Sequence, residues 1–478
     1  MRTREEGFKP LSRAAVVSLL SVAVAGCTVG PNYHAPSMPA PPAYKEAAPA
    51  PTATSTGAPA PALDAWWKVF GDSTLDDLEG QAVTANTDIK IAMTHVDQAN
   101  AATRIAHSYQ LPTVGVSPSV SRTREALERP NNGNTYGKAA TYNDFALPIN
   151  LSYEVDAWGK IRRMVESAKA SEQASQDDQR FVRLSVTASV ATDYYMLREA
   201  DSEAHILSDT LVDLQRGYVI TSNQYQHGLI SELAVKQAKT ILDQTRASIE
   251  ALHIQRAQSE HAIAELLGRP VAGFSIAETD ALGNPPTIPA GVPASMLARR
   301  PDIASVERSA AAASAQIGVA KAAYLPTLSL TGMAGYESVN PTALVNWQNT
   351  MASLGAGVTA PIFTAGRLKA GVDNAQAMYR QSVLQYEKTV LVAYQDVEDQ
   401  LSSLHYLANQ YSASSDALAD AKSAEQIASN RYTAGLVSYL DVVYAQQTLL
   451  TNQQSVAQIQ GQRLETTVGL IRALGGGW

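Results

Sequence analysis

The sequence predicts a mainly α-helical chain with a β part, built from two copies of one helix–hairpin–helix–helix module. Three observations carry this. Two stretches, Ile149 to Arg269 and Ile362 to Trp478, contain no proline, which leaves long segments free for uninterrupted helix. A shift of 207 residues lays Tyr225-x-x-Gly228-Leu229-x-Ser231 on Tyr432-x-x-Gly435-Leu436-x-Ser438, and Leu267-Gly268 on Leu474-Gly475. A shift of 214 lays Asp88-Ile89 on Asp302-Ile303 and Leu111-Pro112-Thr113 on Leu325-Pro326-Thr327. The change of seven residues between the two offsets marks a loop of different length inside a duplicated unit.

The first element is a targeting signal. Arg2, Arg4, Lys9 and Arg13 precede the apolar run Ala14 to Ala25, so residues 1–26 read as a secretory signal peptide. The run ends Val24-Ala25-Gly26-Cys27, the small-residue approach of a bacterial lipobox, and Cys27 is the single cysteine of the chain. Cys27 is therefore the expected lipidation site and mature N-terminus, with Thr28 in place of an aspartate after it. An ordinary signal peptide with a chance cysteine is the competing reading. No disulfide framework or cysteine-rich metal site is possible. A run of 18 apolar residues occurs nowhere else, so a membrane crossing by the mature chain would need closed β-structure.

Residues 27–72 form an extended tether, with eight prolines between Ala35 and Asp64. Trp66-Trp67 and Phe70 mark the return of packed structure. The first repeat spans 73–270. It opens with a helix expected from an N-cap at Ser73 to about Tyr109, followed by a hairpin over 111–156. There, Val114, Val116 and Val120 alternate with small or polar residues, as do Phe145, Leu147, Ile149, Leu151, Tyr153 and Val155. The second repeat, 299–478, answers with a hairpin over 326–363: Leu328, Leu330, Ala334 and Tyr336, then Ala356, Val358, Ala360 and Ile362. This alternation fits a membrane strand and equally a soluble hairpin half-buried on a helix. Four strands are too few to close a barrel, so strands entering lipid would have to be pooled among several chains, with 122–142 and 338–353 as outer loops.

Lys160 to Asn223 reads as a helix of 64 residues, about 95 Å long, with Gly217 as its one interior glycine. After each glycine turn an a/d seam follows: Val235, Ala238, Leu242, Thr245, Ile249 and Leu252, repeated as Val442, Ala445, Leu449, Asn452, Val456 and Ile459. Both copies interrupt it, at Arg256 and Ser259 and at Arg463 and Thr466, before it resumes. A break repeated in both copies predicts a change of packing partner. Residues 271–298, with four prolines, read as a linker on the outside.

Net charge is −8 with 17% charged residues, which gives no basic footprint for nucleic acid. P-loop, HExxH, GxSxG and paired-cysteine motifs are absent. His253 and His261 sit eight residues apart, about 12 Å along a helix, too far to share one ion. No catalytic or metal residue is expected. The composition reads as a conduit or scaffold.

These residues resemble the TolC-like outer-membrane factors, in the lipidated OprM/NodT branch. The resemblance covers nearly the whole mature chain. Its motifs are Val24-Ala25-Gly26-Cys27, Val29-Gly30-Pro31-Asn32-Tyr33, Trp66-Trp67, Tyr153-Glu154-Val155-Asp156-Ala157-Trp158-Gly159-Lys160, Arg299-Arg300-Pro301-Asp302-Ile303, Pro361-Ile362-Phe363 with Gly366-Arg367, and Arg431-Tyr432-x-x-Gly435. It implies a homotrimer with a 12-stranded β-barrel in the outer membrane of a Gram-negative bacterium and a long α-helical barrel in the periplasm. Such channels are passive exit ducts of efflux systems. They dock to a periplasmic membrane-fusion adaptor and an inner-membrane pump of RND, MFS or ABC type. The implied covalent group is lipid on Cys27, with no cofactor. A non-conducting periplasmic lipoprotein scaffold is the rival reading.

The resemblance also implies site residues. Gly228, Leu229, Gly435 and Leu436 occupy the turns that meet adaptor tips in the family. Asp441 matches an acid that narrows the inner end of some family channels, with Leu440 at an apolar constriction and Tyr432 as a supporting neighbour. Tyr444 stands where members often carry a second acid. Ser438-x-x-Asp441 also approximates a capping box, which would make Asp441 a helix-start residue.

Overall fold

The computed structural model describes residues 28–46, 63–124, 141–289, 291, 293 and 299–476. Cys27 and the signal segment lie outside them, as do most of the 122–142 loop and part of the linker. The helices are α1 (Ser73–Ala85), α2 (Thr87–Ser108), α3 (Lys160–Gln226), α4 (Glu232–Leu266), α5 (Pro301–Ala322), α6 (Arg367–Thr433) and α7 (Tyr439–Ala473). The strands are β1 (Thr113–Val116), β2 (Ser119–Arg124), β3 (Thr141–Val155), β4 (Thr327–Ser338) and β5 (Thr350–Thr359). Helix lengths of 22, 67 and 35 residues occur in that order in each copy, so the duplication is kept to the residue.

The helix expected from Ser73 to about Tyr109 is two helices. Asn86 leaves the helical region at ψ 137°, closes α1 with its N–H on Ala82 O, and starts α2 by accepting from Ile89 N at 3.0 Å. Its amide also donates to Leu266 O at 2.8 Å, a tertiary bond that pins the break. The N-cap is Asp72, not Ser73. Its Oδ1 accepts from Thr74 N and Leu75 N, while its Oδ2 takes the Tyr194 hydroxyl proton at 2.6 Å. A carboxylate divides these bonds between two separate oxygens, where a serine side chain has only one.

One compact unit gathers Asp97–Ala174 and Glu307–Leu384 with the tether up to Pro36. Its sheet runs in the order β1-β3-β4-β5, with β2 also on β3. β1 and β2 share one register against β3, and the gap between them falls at Pro118, which has no N–H to give. Five segments thus make the four strands counted from the sequence. Strand β5 ends at Thr359, so Ala360 and Ile362 fall beyond it.

The register places Val114, Val116, Ile149, Leu151, Ala334, Leu354 and Val358 on one face. Asn150, Ser152, Thr331, Ser353 and Gly355 lie on the other. The apolar face is not covered by a helix: Leu354 is 87% and Val358 68% exposed. That removes the reading of a soluble hairpin half-buried on a helix. At the strand–helix corner, Asp156 accepts from Ile161 N and Arg162 N, and Lys160 pairs with Glu154 at 3.0 Å. Arg163, nearly buried, donates to Val29 O, Gly30 O and Asn32 Oδ1 and so fastens the tether beside this corner.

The second unit gathers Ser37–Val96, Ser175–Val306 and Gln385–Trp478. It holds two cores related by the duplication. Ile89, Val190, Ile263 and Leu267 in the first have Ile303, Val397, Leu470 and Leu474 as their counterparts in the second, all buried. Each such side chain contributes about 1.5–3 kcal/mol by leaving water. Trp66 plugs the first core and donates its indole N–H to Thr187 Oγ1.

The interruption at Arg256 is where the linker is received. Arg256 donates to Asp201 at 2.6 Å and to Ile276 O at 2.6 Å, and Arg198 donates to Ala277 O. In the second copy Gln460 donates to Gly283 O and accepts from Arg463. The linker segment from Ile276 to Asn284 is therefore bonded to the helices while most of its described residues stay exposed, with Ile276 buried.

One position tests the sheet. A Cβ on Gly335 would stand 2.2 Å from Leu147 O and 2.8 Å from Pro148 Cα. Gly335→Val should force β3 and β4 apart and destabilise the fold by ~1–3 kcal/mol, measured as a lower midpoint of thermal unfolding in detergent. An unchanged midpoint would show that the strands tolerate the added bulk.

Candidate functional site

The sequence-derived site residues gather at the two helical turns of the second unit. α3 ends with Gly228 at φ +73°, Gly228 N donating to Tyr225 O and Leu229 N to Gln224 O. α6 ends with Gly435 at φ +71°, Gly435 N donating to Tyr432 O and Leu436 N to Arg431 O. These paired bonds satisfy the last carbonyls of each helix, and the left-handed residue they require is a glycine in both copies. The following leucines gain nothing from the fold: Leu229 is 73% and Leu436 69% exposed. Two apolar side chains are thus held out at matching positions by rigid backbone.

Beyond each turn, Ser231 and Ser438 sit in extended geometry as N-caps of α4 and α7. Only the second has an acid to support it. Asp441 Oδ2 accepts from Ser438 N at 2.9 Å and from Ser438 Oγ at 2.8 Å, while the matching position in the first copy is Ala234. The capping role of Asp441 is met, and its carboxylate remains exposed at the surface. Tyr444, one turn further on, is also exposed, and Leu440 is half-buried.

Tyr432 is held by two contacts. Gln224 donates to its hydroxyl at 3.1 Å, and its ring meets Tyr439 edge-on with centroids 5.2 Å apart. Tyr439 was not singled out from the sequence, and its side chain joins α7 to α3. Its hydroxyl rests on α3 at Gly217, where an added Cβ would lie 1.6 Å away. Burial pushes its phenol above the ordinary value. The lone glycine inside a long helix was the visible signal, because such a residue costs about 1 kcal/mol unless something needs its space. Between the turns lies a cavity of about 440 Å³, lined by Leu229, Leu233, Tyr432, Tyr439, Leu440 and Val443.

The arrangement offers apolar contact and a few carboxylates, with no group aligned for chemistry. Among the described residues no cluster of three or more His, Cys, Asp or Glu side chains could hold a metal. No described helix is long and apolar enough to cross a membrane.

Comparison with known proteins places this geometry. The family model described as outer membrane efflux protein matches residues 78–269 and 292–476, one stretch in each repeat. The solvent efflux pump outer membrane protein SrpC of Pseudomonas putida is 31% identical over 479 residues, covering 98% of both chains. The cation efflux system protein CusC of Escherichia coli is 30% identical over 461 residues, covering 96% of this chain and 97% of that one. The solved structure of the outer-membrane channel OprN superimposes with a TM-score of 0.86 at 27% identity, covering 95% of this chain and all of that one. With both repeats matched and relatives aligned end to end, the chain belongs to the outer membrane efflux protein family, the TolC-like outer-membrane factors that serve as exit ducts of Gram-negative efflux systems.

Proposed function

We propose that this chain works as a lipidated homotrimer, each copy giving four strands to a 12-stranded barrel. The observation that carries it is the sheet of the first unit. Its apolar face is bare, and its edges, β1–β2 and β5, have no partner within the described residues of one copy. Unpaired backbone cannot stay in hydrocarbon, so the edges must meet other copies. Lipid on Cys27 follows from its lipobox. Arg163 fastens the tether from Val29, two residues on, beside the strand–helix corner, and that supports an anchor beside the barrel.

The turns are the proposed docking points for a periplasmic adaptor, with Leu229 and Leu436 as the contacts. Cargo and energy then belong to an inner-membrane pump of RND, MFS or ABC type. Relatives of similar identity are named for solvent efflux and for cation efflux, which fits a duct that does not choose its cargo. Asp441, with Leu440, Tyr432 and Tyr444 around it, is the proposed inner constriction. Three exposed carboxylates around one axis would repel each other and attract cations.

Crosslinking in mild detergent should give a dominant trimer, and a monodisperse monomer would end the pore reading. Leu229→Glu with Leu436→Glu should leave that trimer intact while abolishing adaptor capture and efflux. Efflux at the parental level would reduce these leucines to turn residues. Asp441→Asn keeps the shape and part of the cap, so stability should fall by no more than ~1 kcal/mol. Cation preference in planar bilayers should fall and block by multivalent cations should weaken. Identical selectivity and block would leave Asp441 only its role as a cap.

A further inference from the structure

A row of carboxylates occupies one helical seam, well away from the turns. Asp193, Glu199 and Glu203 lie on α3, Glu465 on α7 and Glu265 on α4. Glu199 sits against bare backbone of α7: a Cβ on Gly461 would stand 2.0 Å from its Oε2. Glu203 is buried and accepts from Gln458 on α7 at 3.1 Å. Glu199 is close enough to feel Glu465 and Glu203, Glu465 feels Asp193, and Asp193 feels Glu265.

Three arginines of these helices are engaged elsewhere. Arg198 pairs with Asp201 and donates to Ala277 O. Arg256 pairs with Asp201 and Glu260. Arg463 donates to Gln460 and covers the Tyr411 ring. The internal repeat sharpens the point. Moved by 207 residues, Asp193, Glu199, Glu203 and Glu465 correspond to Gln400, Tyr406, Gln410 and Gln258, none an acid. These four acids belong to the α3–α7 pair and not to its repeat-related pair, α6–α4, while Glu265 of α4 answers to Arg472 of α7. Next to it, a cavity of about 490 Å³ lined by Leu207, Leu214, Thr245, Gln447 and Leu450 gives the helices room to shift.

We propose that the α3–α7 seam is a proton-loaded latch, closed while its carboxyls are protonated and parted when they ionise. Burial, followed by neighbouring carboxylates, pushes Glu199 up to about 8, Glu465 to about 7 and Asp193 to about 6. Burial also raises Glu203, against the bond from Gln458. A raised carboxyl keeps its proton in the folded state longer than in the unfolded one. The seam's stability is therefore full below the ordinary value of 4.5 and is lost as pH climbs toward 8. Ionised groups would repel across a low-dielectric gap, and helices that slide do so by about 1–2 Å. The repeat-related faces, neutral at these positions, would not respond.

Any effect on conductance rests on the channel reading, so the test reads the seam directly. Spin labels on Met196→Cys and Gln462→Cys report the α3–α7 distance in the full-length protein in detergent. Between pH 6 and pH 9 the distance should lengthen by about 2 Å, and Glu199→Gln with Glu465→Gln should abolish the change. The infrared band of protonated carboxyl should lose intensity between pH 6 and pH 9 in the unsubstituted protein and lose less in the glutamine variant, with buried Glu79 contributing a constant background. A distance constant across that range, a shift that survives in the glutamine variant, or a band whose intensity change is the same in both proteins would each overturn the latch. A pH-dependent distance with no conductance at any pH would keep the latch and remove the channel reading instead.

Discussion

An unpaired backbone N–H or C=O in hydrocarbon costs several kcal/mol, and that cost organises this chain. Four strands hydrogen-bond among themselves and still leave two edges. Among the described residues no helix covers the apolar face they share. The same alternation that would be a folding error in water becomes the outer wall of a barrel in lipid. The prolines and glycines of the sheet obey this constraint. Pro118 and Pro148 fall opposite the same gap, where the β1–β2 run is already broken, and Gly335 clears the space that Pro148 needs.

Duplication supplies the rest. Each copy repeats helices of 22, 67 and 35 residues and a buried core made from matching positions. The copies are not interchangeable, however. The first core takes Trp66 from the tether, and the second takes Tyr44. Asp441 caps one turn and Ala234 leaves the other uncapped. The linker is held by charged and amide groups at the level where each a/d seam breaks off. The interrupted seam therefore trades apolar packing for bonds to a crossing strand of backbone, with Arg256 and Gln460 as the donors.

Long-range repetition and local periodicity were legible in the sequence. The proline-free helices, the glycine turns and the faces of the hairpins all depend on spacing, which a sequence displays. What was not legible depends on a partner distant along the chain. Asn86 breaks a helix because Leu266 O waits for its amide, and nothing near residue 86 announces that. Asp72 outranks Ser73 as a cap because Tyr194 needs an acceptor. Gly217 was visible as an oddity, while the Tyr439 hydroxyl that fills its space lies more than two hundred residues away. The candidate constriction was reached through resemblance, since the exposed carboxylate of Asp441 is satisfied locally by Ser438 and one copy places no second acid beside it.

The pairing of β3 with β4 has a kinetic side. Val155 and Leu328 stand opposite each other in the register, yet the whole of α3, α4, the linker and α5 lies between them in sequence. The contacts within each hairpin close loops of a few dozen residues at most. Joining the hairpins closes a loop several times longer, and such non-local contacts form late and slowly. Each hairpin can therefore form soon after its own residues emerge, whereas the sheet must wait for most of the chain to be made. Until then the chain carries two separate pairs of open edges, and its time of greatest exposure to mispairing is set by the length of the helices between them.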